Sequence, residues 1–184
     1  MVFENWLEIQ RSTSKDARKE KPNFYTGEIM QIVIFEGSDR TGKDFLRQTF
    51  EKRNGYSHTC VTRLFFSQFV YAYYYKRPLW TKPALRLEYI EMIRKFIKQF
   101  QPLIVFTTAA QDVINDRIKK CGEDVNAHGS IEVINALYRK MFKLAKLPDR
   151  LLLVIDTTNN PSPDALANIV QSRVNTLEEK NGKH

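Results

Sequence analysis

Cysteine is almost missing from this chain. Cys60 and Cys121 are the only two in 184 residues, which excludes a disulfide framework and leaves too few thiolates for a zinc cluster. A reducing, cytoplasmic setting follows as the expectation. Long apolar runs are also lacking: charges interrupt every one well before the ~20 residues that a membrane span needs. No secretory leader is predicted, because Glu4, Asn5 and Glu8 fall among the apolar residues of Met1 to Gln10. Histidine is sparse, and His58 and His128 stand singly, without Cys or His neighbours at ligand spacing. No internal repeat is visible.

What remains is ordinary for one soluble globular domain: 42% hydrophobic and 27% charged residues. The charge is unequal, with 29 basic against 21 acidic residues and a formal net charge of +8. Such a balance points to polyanionic company, meaning nucleotides, nucleic acid or phosphorylated substrates; solubility alone is the competing explanation.

Three zones are predicted. Residues 1–29 form an N-terminal extension whose stretch Arg11 to Pro22 is polar, charged and aperiodic. Residues 30–177 carry the periodic pattern, and 178–184 are a charged tail predicted to fray. Buried strands are expected at Gln31 to Glu36, His58 to Arg63, Pro102 to Thr107 and Leu151 to Asp156. Helices are expected at Lys43 to Arg53, Leu64 to Lys76, Ala84 to Phe100, Ala110 to Lys120, Ser130 to Leu147 and Asp164 to Leu177, with Arg77 to Pro83 as a loop. Apolar strands alternating with helices predict an α/β fold, a parallel sheet of about four to five strands with helices on both faces.

The first strand runs into Gly37-Ser38-Asp39-Arg40-Thr41-Gly42-Lys43-Asp44. This is G-x-x-x-x-G-K between a strand and a helix, the context in which it cradles phosphate. Glycines let the backbone wrap so that amide N–H groups converge on one anion. The helix N-terminus adds its positive dipole end and Lys43 a point charge. The next position departs from the pattern, because the Ser or Thr that ligates Mg²⁺ is replaced by Asp44. Asp44 is the candidate Mg²⁺ ligand. It equally suits the first turn of a helix, and a weakened nucleotide site is the third possibility.

FEGSDRTGKD resembles the phosphate loop of the thymidylate kinase group of P-loop nucleoside and nucleotide kinases, and a weaker likeness continues to about Val174. Thr62-Arg63 resembles the group's Asp-Arg pair, DVINDRIKKCG its basic lid, and Tyr138 a tyrosine beyond that lid. The short Gly55 to Arg63 spacing is similar to trimmed viral, phage-type members. The resemblance implies the three-layer P-loop NTPase fold, ATP and Mg²⁺ as cofactors, and phosphoryl transfer to a deoxynucleoside monophosphate in deoxynucleotide metabolism. It implies that Asp39 contacts the acceptor sugar, Arg40 reaches the phosphates being joined, and Lys43 spans the β- and γ-phosphates. It implies also that Glu36 sits beside the metal or the acceptor oxygen, Arg63 holds the acceptor phosphate, and Arg117, Lys119 and Lys120 are lid cations. Thr62 departs from the group's usual Asp.

Acceptor identity stays open. Seven aromatic residues lie between Phe65 and Tyr75. They read as core packing or, in part, as a base-stacking surface, with Tyr74, Lys76 and Arg77 expected toward solvent. Lys76, Arg77 and Lys82 beside these rings make DNA a second candidate partner, and a kinase for a hydroxyl or modified base within DNA a second function. A catalytically impaired nucleotide or DNA binder is a third. The apolar stripe of Ala84 to Phe100, from Leu85 to Phe100, suits the core or a homodimer interface. The Asn159-Asn160-Pro161 segment suits adenine contact or a plain turn.

Overall fold

Runs of β-branched and aliphatic residues are buried on both faces when they become parallel strands. The computed structural model, which describes residues 31–124 and 129–181, pairs four of them in the order β2-β1-β3-β4, all parallel. They are β1 (Ile32–Gly37), β2 (Thr59–Thr62), β3 (Leu103–Thr108) and β4 (Leu152–Asp156). The central pair, β1 and β3, is the most apolar: Val33, Ile34, Phe35, Leu103, Ile104 and Val105 have no exposed surface. The three-layer α/β expectation holds, with four strands. The N-terminal extension, Met30, His128 and the last three residues lie outside the described residues.

The helices are α1 (Lys43–Arg53), α2 (Phe65–Tyr74), α3 (Pro78–Thr81), α4 (Pro83–Phe100), α5 (Gln111–Lys120), α6 (Ile131–Leu144) and α7 (Pro163–Asn181). The chain leaves β1 toward β2 and later returns past β1 to β3. With right-handed crossovers, these two connections fall on opposite faces of the sheet. Helix α1 accordingly packs against α7, and α2 against α6. The reversal of direction places a crevice beyond the carboxyl ends of β1 and β3, where such folds bind ligands.

Several element boundaries differ from expectation, each for a local reason. Helix α7 continues to Asn181 instead of ending at Leu177, since Val174 and Leu177 are both buried and keep its last turns against the core. Helix α6 stops at Leu144. Leu147 N–H then bonds the Phe142 carbonyl across Lys146, which takes a left-handed φ of 53°. Arg77 to Pro83 holds a helical turn, α3, opened by Pro78 in the first-turn position that tolerates proline. The stripe of α4 is centred on Ile90, Ile93 and Ile97, while Leu85 and Phe100 are each 42% exposed because they lie at the helix ends, beyond the edge of the core. Tyr74 is half-buried, not solvent-facing: its hydroxyl lies where a side chain on Gly129 would begin. Tyr75, Lys76 and Arg77 are the exposed residues there. Ser130 caps α6, its hydroxyl accepting from Val133 N–H at 3.5 Å. Among the described residues no helix is long and apolar enough to cross a membrane.

Ile93 has no exposed surface and sits in the main core cluster. Ile93→Ala is expected to cost about 2–5 kcal/mol of unfolding free energy in urea titration. A loss below ~1 kcal/mol would show that α4 is not packed as described.

Candidate functional site

The loop from Gly37 to Lys43 closes the crevice, and its shape is set by close approach to β3. Gly37 is in register with Thr107. Its φ is +143°, and a Cβ there would stand 2.4 Å from the Thr107 carbonyl oxygen. Thr41 Oγ1 and Thr107 Oγ1 are 2.7 Å apart; Thr41 Oγ1 also lies 3.0 Å from the Ser38 carbonyl, and Thr107 Oγ1 3.2 Å from that of Glu36. Gly42, at φ +82°, gives the left-handed turn that starts α1. The first amides of α1 have no acceptor within the helix, the arrangement that favours an anion at a helix N-terminus.

Lys43 is almost fully buried, with Nζ donating to the Ser38 carbonyl at 3.1 Å and lying 3.5 Å from Asp44 Oδ2. Burial lowers its pKa from the usual lysine value. The Asp44 side chain is 62% exposed at the cavity mouth. That cavity, of about 620 Å³, is lined by Asp39, Arg40, Lys43, Asp44, Arg117 and Lys120, among others. The triphosphate-binding residues expected from the sequence therefore do converge. Lys119 is exposed at the end of α5 and does not line the cavity.

Two flanking cavities of about 340 Å³ each open from this centre. One lies between Phe45, Arg117, Asn160 and Pro161. Arg117 is not free above the loop as a lid cation would be. Its guanidinium donates to the carbonyls of Arg40 (2.9 Å) and Thr157 (2.7 Å), to Thr157 Oγ1 (3.1 Å) and to Asn160 Oδ1 (2.7 Å). Those bonds make it a tie between the phosphate loop and the segment after β4. Thr157 completes the tie by donating to the Thr41 carbonyl at 3.0 Å. No local motif singles out Thr107 or Thr157; the signal they carry is position, since both follow the apolar core of a strand, where a ligand crevice lies in such folds.

The other flank is lined by Asp39, Arg63, Ser67, Gln68, Tyr71 and Arg77, among others. Arg63 pairs with Asp39, and Arg40 with Glu123 beyond α5. Both pairs are more than a third exposed, so each contributes little to stability. Behind this wall lies Glu36, fully buried, with its carboxylate accepting from Leu64 N–H at 3.0 Å and from the Ser67 hydroxyl. The Tyr138 hydroxyl is 2.8 Å from Ser67 Oγ and 3.2 Å from the Gly37 carbonyl. Burial pushes the Glu36 carboxyl up to about 6, against the pull of these hydrogen bonds. Glu36 thus sits one layer behind the cavity, reached through Ser67. No group of three or more His, Cys, Asp or Glu suited to a metal ion occurs among the described residues.

The fold is shared with a solved structure: YorR protein from Bacillus subtilis, in complex with phosphorylated GDP. It superposes with a TM-score of 0.62 at 20% identity, over 84% of this chain and 99% of that one. No protein-family model matches the chain, and no curated protein matches it. The likeness is one of fold, a P-loop NTPase-like three-layer arrangement.

Two outcomes follow from this geometry. The Glu36 carboxyl is raised on folding, so the native state holds its proton more tightly than the unfolded chain does. Stability from this group is full below pH ~4.5 and is lost as pH rises through about 6, a change of about 2 kcal/mol. Urea titrations from pH 4.5 to 7.5 should show that decline in the native protein and a flatter profile in Glu36→Gln; equal slopes would refute the assignment. Gly37→Ala should cost about 3 kcal/mol or more by displacing the loop from Thr107, with nucleotide binding lost in parallel. Retention of both stability and binding would show that the close approach is not required.

Proposed function

We propose that this protein is an ATP-dependent phosphotransferase acting on a nucleotide, with a deoxynucleoside monophosphate as acceptor. The observation that carries this reading is the buried Lys43 on the wall of the central cavity, which shares Arg40, Gly42, Phe45 and Arg117 with one flanking cavity and Asp39 with the other. A donor nucleotide lies with its base between Phe45, Arg117 and Pro161 and its phosphates along Gly37 to Lys43. The acceptor lies toward Asp39 and Arg63. The bound nucleotide of the YorR protein, which has the same fold, supports a nucleotide ligand here.

In the transfer, an acceptor phosphate oxygen attacks the γ-phosphorus and the bond to the β–γ bridging oxygen breaks, leaving ADP. An acceptor phosphate is already anionic, so no general base is needed. Lys43, Arg40 and Arg63 neutralise charge on the transferring group, which is the main catalytic demand of this chemistry. Arg40 and Arg63 exchange their carboxylate partners, Glu123 and Asp39, for phosphate; the exposure of both pairs keeps that exchange inexpensive. Asp44 is the residue that would hold Mg²⁺, which when bound neutralises the β- and γ-oxygens. Glu36 positions β1 against Ser67 and Tyr138.

A second reading, a nucleotide binder without turnover, is favoured by the Asp44 carboxylate near Lys43 and by Thr62 in place of an acid. Transfer of labelled γ-phosphate from ATP to a panel of deoxynucleoside monophosphates separates the two. The native protein is expected to label at least one acceptor, and Lys43→Ala to lose about 100-fold or more of that rate. ATP binding with no labelled product would leave the binder as the correct description.

A further inference from the structure

A row of cations and rings lines the acceptor cavity. It starts at Arg63, whose guanidinium carbon lies 5.8 Å from the Tyr71 ring centre. Tyr71 stacks with Tyr75 at 6.2 Å and an interplanar angle of 16°. Arg77 lies over Tyr75 at 5.2 Å. Tyr75 is 51% exposed, and both it and Arg77 line the cavity wall. Asp39, already paired with Arg63, is the one carboxylate among the residues lining that cavity.

A second group follows in the chain. Arg77 also precedes α3, whose Trp80 is held edge-on by Phe69 and Tyr73. Two more cations from separate helices converge on this indole: Arg86 of α4 at 4.6 Å and Lys140 of α6 at 5.6 Å. Lys76 and Lys82 are exposed on either side of α3, and Lys143 follows Lys140 one turn along the exposed side of α6. The acids of α4 nearest in sequence, Glu88 and Glu91, line a different groove, and Glu91 pairs with Arg94. Two groups of cations and planar rings, one on the cavity wall and one around Trp80, thus lie on either side of Arg77 in the chain, a chemistry that suits phosphates and bases of a nucleotide strand.

We infer that this surface holds the backbone of a single-stranded nucleic acid whose terminal nucleotide occupies the acceptor cavity. The inference rests on the acceptor assignment above and extends it outward. A phosphodiester draws Arg77 off Tyr75 and uncovers that ring for a base, and the cations around Trp80 meet the phosphates that follow. Bases in a duplex are stacked on each other and cannot use the rings, so a single strand is preferred. Deoxyribose and ribose strands share this chemistry.

Fluorescence anisotropy with labelled DNA and RNA strands of about 12 nucleotides, and with the matching duplex, tests it. Single strands should bind more tightly than duplex, with affinity falling linearly in log salt. Arg77→Gln and Lys140→Gln should each reduce that slope by about 0.7. Tyr75→Ala should weaken binding roughly tenfold or more. A saturating deoxynucleoside monophosphate should weaken strand binding by competing for the cavity. Preference for one sugar names the natural strand, and either preference upholds the site. Absence of strand binding at about 50 mM salt while the mononucleotide still binds would overturn the inference and leave the phosphotransferase intact. Unchanged strand binding in a combined Arg77→Gln, Arg86→Gln and Lys140→Gln variant, folded by circular dichroism, would place any strand elsewhere and overturn it equally. Failure of mononucleotide and strand together would remove both readings.

Discussion

The parallel pairing of β1 with β3, carried to its last rung at Gly37 and Thr107, is the constraint on which the site depends. There the backbones approach so closely that no side chain fits on residue 37. Beyond that rung the chain must turn, and it turns under the hydroxyls of Thr41 and Thr107. A second brace comes from Thr157, after β4, which bonds the Thr41 carbonyl. The loop is therefore fastened to both strands that follow it in the sheet. Its backbone is held in this shape by the protein's own hydrogen bonds.

Buried polarity ties the two helical layers to this centre. Glu36 points away from the loop and into the α2 and α6 layer, where Leu64, Ser67 and Tyr138 satisfy it. A buried carboxylate is costly when unpaired, so α2 and α6 are held in one register relative to β1. Arg117 performs the matching task on the other side, spending its donors on the carbonyls of Arg40 and Thr157. Cation and anion alike serve to hold packed elements in place, whereas Arg40 and Arg63 lie in half-exposed ion pairs with Glu123 and Asp39.

The core strands and the turn between β1 and α1 are legible because their signals are local. A β-branched run such as IVIF can hardly be anything but a buried strand, and the glycine spacing at Gly37 and Gly42 has a direct backbone meaning. The limits of α1 were read correctly for the same reason, with Gly42 before it and Asn54-Gly55 after it. Helix ends that depend on packing were not. Nothing near Glu178 indicates that Leu177 is held by the core and carries the helix onward, and nothing in LYRKMFKLAKL marks Leu144 as the last residue of its helix. Arg117 was recognisable as a cation near the site but not as a brace, since its acceptors lie 77 and 40 residues away in the chain.

The sequence by itself determined the class of fold and the strand-loop-helix turn that ends at Lys43, because each rests on residues adjacent in the chain. Only the tertiary structure decided which charges are already committed to the protein. It buried Glu36, engaged Arg117, paired Arg63 with Asp39, and brought Trp80 between cations of two other helices. Those outcomes depend on burial and distance across the sheet, which no local pattern encodes.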